Sequence, residues 1–219
     1  MNRFRRDREE VVRFNIEEWV PRTALGRDVK SKKIITIEDI FRLGKQIEEP
    51  EIIDALLPDL KSEVIEIASV QRMTKNNRKQ KYRVTAIVGD GKGHIGVGSG
   101  KDVEVKAAIE TATTNAKSNV IPIILGCGSW QCLCGTGHSL PFTVKGRTGS
   151  VEVILKPAPR GLGIVASEPV KKMLELAGVK DAWTFSRGRT RAKYNTVLSV
   201  YRALSSINKM KNIAEKIVR

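Results

Sequence analysis

The sequence predicts an α+β chain: two small units, each a short antiparallel sheet with helix, behind an arm of extended and short helical segments. Three observations predict it. The apolar period alternates between two and 3.6, as in KYRVTAIV against the alanine-rich VEVKAAIETATTNAK. Glycine-rich stretches, GDGKGHIGVGSGK at 89–101 and PAPRGLGI at 157–164, punctuate the pattern. A connector, IPIILGCGSWQCLCGTGH, separates the two units.

In order, residues 1–35 show no sustained period and read as an extended arm. Thr36 opens a helix, with Asp39 three residues on as a capping-box acid and Gly44 as the stop. PEIIDALLP is a second short helix between Pro50 and Pro58. EVIEIASVQRM and KYRVTAIV are strands joined by TKNNRKQ, with Tyr82, Val84, Ala86 and Val88 on one face. GDGKG is the next turn and HIGVGS a third strand. From about Glu104 to Lys117, Val105, Ala108, Ile109, Ala112 and Ala116 form a helical stripe. After the connector, SLPFTVKG and GSVEVILKP read as a hairpin turning at Gly146–Gly149. Ser167 and Pro169 begin a helix that Gly178 ends. VKDAWTF is a strand, SRGRTRAKY a basic loop, and NTVLSVYRALSSI a final helix capped by Asn195. The expected division is an arm at 1–60, a first domain at 61–126, a Cys-rich connector at 127–138, a second domain at 139–208 and a basic tail at 209–219.

Charge narrows the function class. Across 219 residues, 39 Lys and Arg against 24 Asp and Glu give +15, which implies a polyanionic partner, nucleic acid first. No apolar run approaches a membrane span, and the opening MNRFRRDREE lacks a signal-peptide core, so a cytoplasmic chain without membrane contact is expected. Lys32–Glu66 carries five basic and nine acidic residues, whereas Lys180–Arg219 carries ten basic and two acidic. Gln71–Arg83 holds six basic residues and no acid.

The glycines at 89–101 invite a nucleotide reading, because Gly91, Gly93 and Gly96 satisfy G-x-G-x-x-G. Placement argues against it. Gly96 lies inside a strand, about eight residues before the helix, and Lys101 is followed by Asp102 where a Walker lysine needs Ser or Thr. No nucleotide is expected. Gly96, Gly98 and Gly100 instead leave one strand face bare, so that another surface, protein or RNA backbone, can approach.

VQRMTKNNRKQKYRVTAIVGDGKGHIGVGSGK, followed by AAIETATTNAK, resembles the first domain of the universal small-ribosomal-subunit protein five family, whose eukaryotic members are called protein two. GSVEVILKPAPRGLGIVASEPVKKMLELAGVKDAW resembles its second domain, and EWVPRTALGRDVK resembles the lead segment of the archaeal and eukaryotic branch. The likeness covers about residues 17–207 and identifies an archaeal-type member. It implies a double-stranded-RNA-binding-like first domain and a β-α-β-α second domain. It further implies a structural, non-enzymatic role: binding small-subunit ribosomal RNA near the decoding region and the mRNA entry channel. The implied neighbours are ribosomal proteins three, four and eight, and the contact with protein four bears on decoding fidelity.

Candidate RNA contacts follow from the residues themselves. Arg72, Lys75, Arg78, Lys79, Lys81 and Arg83 flank one hairpin, and cations without an acid repel one another unless an anion lies among them. Arg187, Arg189, Arg191 and Lys193 form a second basic loop. Arg160 sits in a Pro/Gly turn suited to a bidentate phosphate contact, and Lys92 and Lys101 bracket the glycine strand.

Cys127, Cys132, Cys134 and His138 are three soft ligands and an imidazole within twelve residues, the inventory of one structural zinc. The spacing C-x4-C-x-C-x3-H is not a standard knuckle, and small buried residues in a glycine-rich connector are the alternative. Between Cys127 and His138, Trp130 and Leu133 are the only large apolar anchors. With two histidines and clustered cysteines, no independent nucleophile–base pair is evident. A nucleotide-dependent enzyme would bind ATP or NAD in isolation, and a free RNA-binding regulator would sediment apart from ribosomes.

Overall fold

The structure, a computed structural model, describes residues 19–132 and 134–208. The first eighteen residues of the arm, Leu133 and the basic tail lie outside the described residues.

The arm holds three short helices, α1 (Ala24–Lys30), α2 (Ile37–Leu43) and α3 (Glu51–Leu56). The last two follow the sequence signals: Thr36 and Asp39 close a capping box, and Gly44 takes the left-handed conformation at φ 63°. The first corrects the extended reading. Thr23 caps α1 by accepting from the Gly26 amide at 3.1 Å. Gly26, inside this helix, is the point of close approach, since a Cβ there would meet Pro21, Glu49 and Trp19. Glu49 then ties the helix down, its Oε1 accepting from the Arg22 and Thr23 amides at 2.8 and 2.5 Å. Trp19, Leu25, Val29, Ile37, Ile40, Ile52 and Ile53 make a separate apolar cluster that reaches Val120.

The first sheet has the antiparallel order β1 (Lys61–Met73), β2 (Arg78–Gly89), β3 (His94–Asp102) and β4 (Val120–Pro122). β4 is one strand more than the sequence suggests, three residues being too short to show a period. Helix α4 (Val105–Ser118) crosses one face. There Gly96, Gly98 and Gly100 lie under the backbone of Ala116, Ala112 and Ala108, where any Cβ would collide with the helix. The close neighbour expected for the bare glycine face is thus the chain's own helix, not an external protein or RNA. Ile87, Ile95 and Val97 on the other face join the core of the second unit.

The second sheet has the order β5 (Val144–Thr148), β6 (Val151–Pro157), β8 (Ala182–Arg187) and β7 (Ile164–Val165), with α5 (Glu168–Leu176) and α6 (Lys193–Ile207) on one side. Gly146 is not in the turn, as expected from sequence, but in β5, beneath Ser199 and Ala203 of α6. The turn glycine is Gly149, at φ 60°. The N-cap of the final helix lies three residues earlier than expected, at Ala192, with Asn195 inside the helix. Among the described residues, no helix is long and apolar enough to cross a membrane.

Candidate nucleic-acid interface and metal centre

β1 and β2 pair up to Met73↔Arg78, so the connection is only Thr74–Asn77 and Arg78–Gln80 belong to the strand. β3 joins at Tyr82↔Asp102, which leaves the outer hairpin as a two-stranded arm that is exposed over residues 71–80. Val84 and Ala86 pack on α4, so strand alternation turns Lys79, Lys81 and Arg83 to the opposite face. The register sets Arg72 directly across from Lys79 and Lys101 across from Arg83. Five cations therefore share one strip, and two like-charged pairs face each other, an arrangement that destabilises a sheet. Arg78 lies on the other face of the hairpin, and Lys75 is at its tip.

The strip leads to the second basic segment. The Arg83 guanidinium stands over the Tyr194 ring, 5.3 Å from its centroid, beside Lys193 at the start of α6. Arg187 ends β8, and Arg189 and Arg191 are exposed in the loop that follows. The first turn of α6 has no side-chain cap and no acid, so its free amides add to the positive potential. Among the described residues, none of these cations forms an ion pair. Lys92 does not join them: it sits at the far end of β3, paired with Asp59 at 2.9 Å. Arg160 is apart as well, in an exposed turn whose Gly161 and Gly163 amides donate to Asp181 Oδ1 at 3.1 and 2.8 Å.

Asp181 connects that turn to the cysteine cluster. The ligand atoms of Cys127, Cys132, Cys134 and His138 all lie within 4.8 Å of one another, so this group could hold a metal ion. Metal bonds of about 2.3 Å to sulfur and 2.0–2.1 Å to nitrogen imply tetrahedral edges of roughly 3.6–3.8 Å. Cys132 Sγ and His138 Nε2 are 3.7 Å apart. His138 Nδ1 lies 2.8 Å from Asp181 Oδ2. An ionised carboxylate only accepts, so Nδ1 carries a proton, and in the neutral imidazole that leaves the Nε2 lone pair facing the sulfurs. Burial works against ionisation of Asp181, but the Gly163 amide, His138 and the Gly161 amide together hold its carboxyl below the usual value. The Thr136 hydroxyl, 3.2 Å from Cys134 Sγ, and the Thr136 amide bring that thiol down to about 6. Burial pushes the Cys127 thiol up. An isolated bridge, Gly126↔Ser139, closes the loop that carries the cluster. Trp130, expected to anchor the connector, is instead 86% exposed.

A Ribosomal protein S5, N-terminal domain model matches residues 60–124, and a Ribosomal protein S5, C-terminal domain model matches residues 146–217. The chain belongs to the ribosomal protein S5 family. Relatives named small ribosomal subunit protein uS5 extend the likeness beyond the two domains. One from Aeropyrum pernix is 50% identical over 195 residues, covering 89% of each chain. Another from Methanoregula boonei is 50% identical over 191 residues, 87% of this chain and 93% of the relative. A third from Methanococcus maripaludis is 50% identical over 201 residues, 92% of this chain and 89% of the relative. The S5 family is one of structural, non-enzymatic proteins. Sequence reasoning missed Tyr194 and Asp181, whose roles depend on contacts 111 and 43 residues away in the chain.

Proposed function

We propose that the chain is a structural constituent of the small ribosomal subunit that binds its RNA near the decoding region and the mRNA entry channel. In this reading it works in the cytoplasm beside ribosomal proteins three, four and eight and supports translational fidelity. Membership in the S5 family supports the placement. The carrying observation is the cation strip: Arg72 opposite Lys79, and Arg83 opposite Lys101, without a counter-ion among the described residues. Phosphates lying along it relieve a repulsion that the fold otherwise bears, and Arg187, Arg189, Arg191 and Lys193 extend the contact. The test is salt-dependent binding of the purified chain to structured small-subunit RNA. Replacing Arg78, Lys79 and Lys81 with Ala removes two cations from the strip and one from the hairpin's other face, and lowers the log–log slope by about 1.8 for the two strip contacts, at roughly 0.9 per contact on a duplex. An unchanged slope refutes the hairpin as the RNA face.

The same reading assigns one structural zinc to Cys127, Cys132, Cys134 and His138. The supporting observation is His138, which is fixed by Asp181 with Nε2 turned to the sulfurs. Zinc would close a connector rich in glycine, where ordering costs backbone entropy and Trp130 contributes little burial. Metal content by mass spectrometry is expected near one equivalent in protein prepared without chelator, and near zero in Cys132→Ser/Cys134→Ser. Asp181→Asn is expected to weaken zinc affinity about tenfold, as loss of an outer-shell partner does. Metal-free protein with a protected connector would leave the cysteines as packing residues.

A further inference from the structure

Strand alternation in the second sheet buries Val144, Val151, Val153 and Leu155 against the helices and turns the intervening residues outward. The register arranges that outer face in rows. Lys145 lies beside Ile154, and Ile154 beside Phe185. The next row sets Lys156 beside Trp183, and Trp183 beside Val165. A third contains Arg147, Glu152 and Arg187. Phe185 and Trp183 are 50% and 41% exposed, which is unusual for large rings in the middle of a folded sheet. The Lys156 ammonium stands 4.8 Å from the Phe185 ring centroid. From the connector, Trp130 forms one wall of a groove of about 450 Å³ that Trp183, Phe185 and Lys156 also line.

We propose that this face is a stacking platform for unpaired nucleotides of RNA, distinct from the hairpin strip. The inference rests on the RNA-binding reading above and names a second mode of contact. Sheet-borne aromatic rings interleaved with cations hold unpaired bases in a sequence-tolerant way, the rings stacking on bases and the cations tracking phosphates. Charge decides between RNA and a protein partner. Lys145, Arg147 and Lys156 surround the rings, Glu152 is the one acid in these rows, and none of the three cations has an ion pair among the described residues. Basic side chains around bare aromatic rings complement a polyanion whose bases are free to stack.

The test uses the full chain, a short 4-thiouridine-labelled oligouridylate and an RNA duplex. Photo-adducts are expected at Trp130, Trp183 or Phe185, together with quenching of tryptophan fluorescence. Phe185→Ala and Trp183→Ala are expected to weaken oligouridylate binding roughly tenfold each, with duplex binding changed less than twofold. The triple hairpin variant Arg78→Ala/Lys79→Ala/Lys81→Ala is expected to show the converse. Loss of duplex binding in wild-type protein would count against the general RNA reading, whereas duplex binding without adducts on this face overturns the platform alone. Cross-links from the face to a subunit protein rather than RNA in the assembled particle would likewise overturn it.

Discussion

Both sheets bring a helix onto one face through glycine: Gly98 lies beneath Ala112 and Ala116 of α4, and Gly146 beneath Ser199 and Ala203 of α6. Their other faces part company. The first sheet turns Ile87, Ile95 and Val97 into the common core, so both of its faces are occupied where β2 and β3 pair. Its free surface is the hairpin that projects beyond β3, and that surface is almost purely charged. The second sheet leaves its outer face bare, with Trp183 and Phe185 among cations. The difference teaches that function on this fold follows what packing leaves over. A fully committed sheet leaves cations on an extension, and a half-committed one leaves rings; in the proposed function the cations make phosphate contacts.

The largest effects are expected at the buried glycines. Gly98→Val places a Cβ against Ala116 N and Ala112 O, and the backbone on both sides resists displacement. A loss of about 3 kcal/mol or more is expected in urea melts of the isolated chain. Lys101→Val, on the same strand but exposed, is expected within about 0.5 kcal/mol of wild type. Equal stability of the two variants would mean that α4 does not approach β3 as closely as described. A smaller effect is expected on the hairpin strip, with opposite signs for stability and RNA affinity. Lys79→Gln removes one member of the Arg72/Lys79 pair, so stability is expected to rise by roughly 0.2–1 kcal/mol while affinity for structured RNA falls. Denaturation midpoints and RNA titrations at one ionic strength measure both. A residue with only a packing role would move the two the same way.

Much of the fold is legible in the sequence where a local signal has a local cause. The Thr36–Asp39 capping box, the prolines around α3 and the Ala108–Ala112–Ala116 stripe each correspond to observed elements. The misreadings occur where the cause is distant. Residues 24–30 read as part of an extended arm because what fixes α1, Glu49 accepting from the Arg22 and Thr23 amides, comes from more than twenty residues away. The glycine face looked open to other molecules because its partner helix begins only after β3 ends. The metal candidates were legible as residue types, but the group that orients His138 is Asp181, 43 residues on. Likewise the six hairpin cations could be listed from sequence, but only the register separates Arg78 from the strip and recruits Lys101 to it.

Lysine footprinting tests most directly the proposal that the hairpin strip and the start of α6 form one RNA-facing surface. Free protein and protein assembled into small subunits are labelled with an amine-reactive reagent and compared residue by residue by mass spectrometry. Lys79, Lys81, Lys101 and Lys193 are expected to lose reactivity together on assembly, while Lys92, paired with Asp59 at the far end of β3, changes little. Continued labelling of Lys79 and Lys81 in the assembled particle, with protection confined to Lys92, would contradict the account.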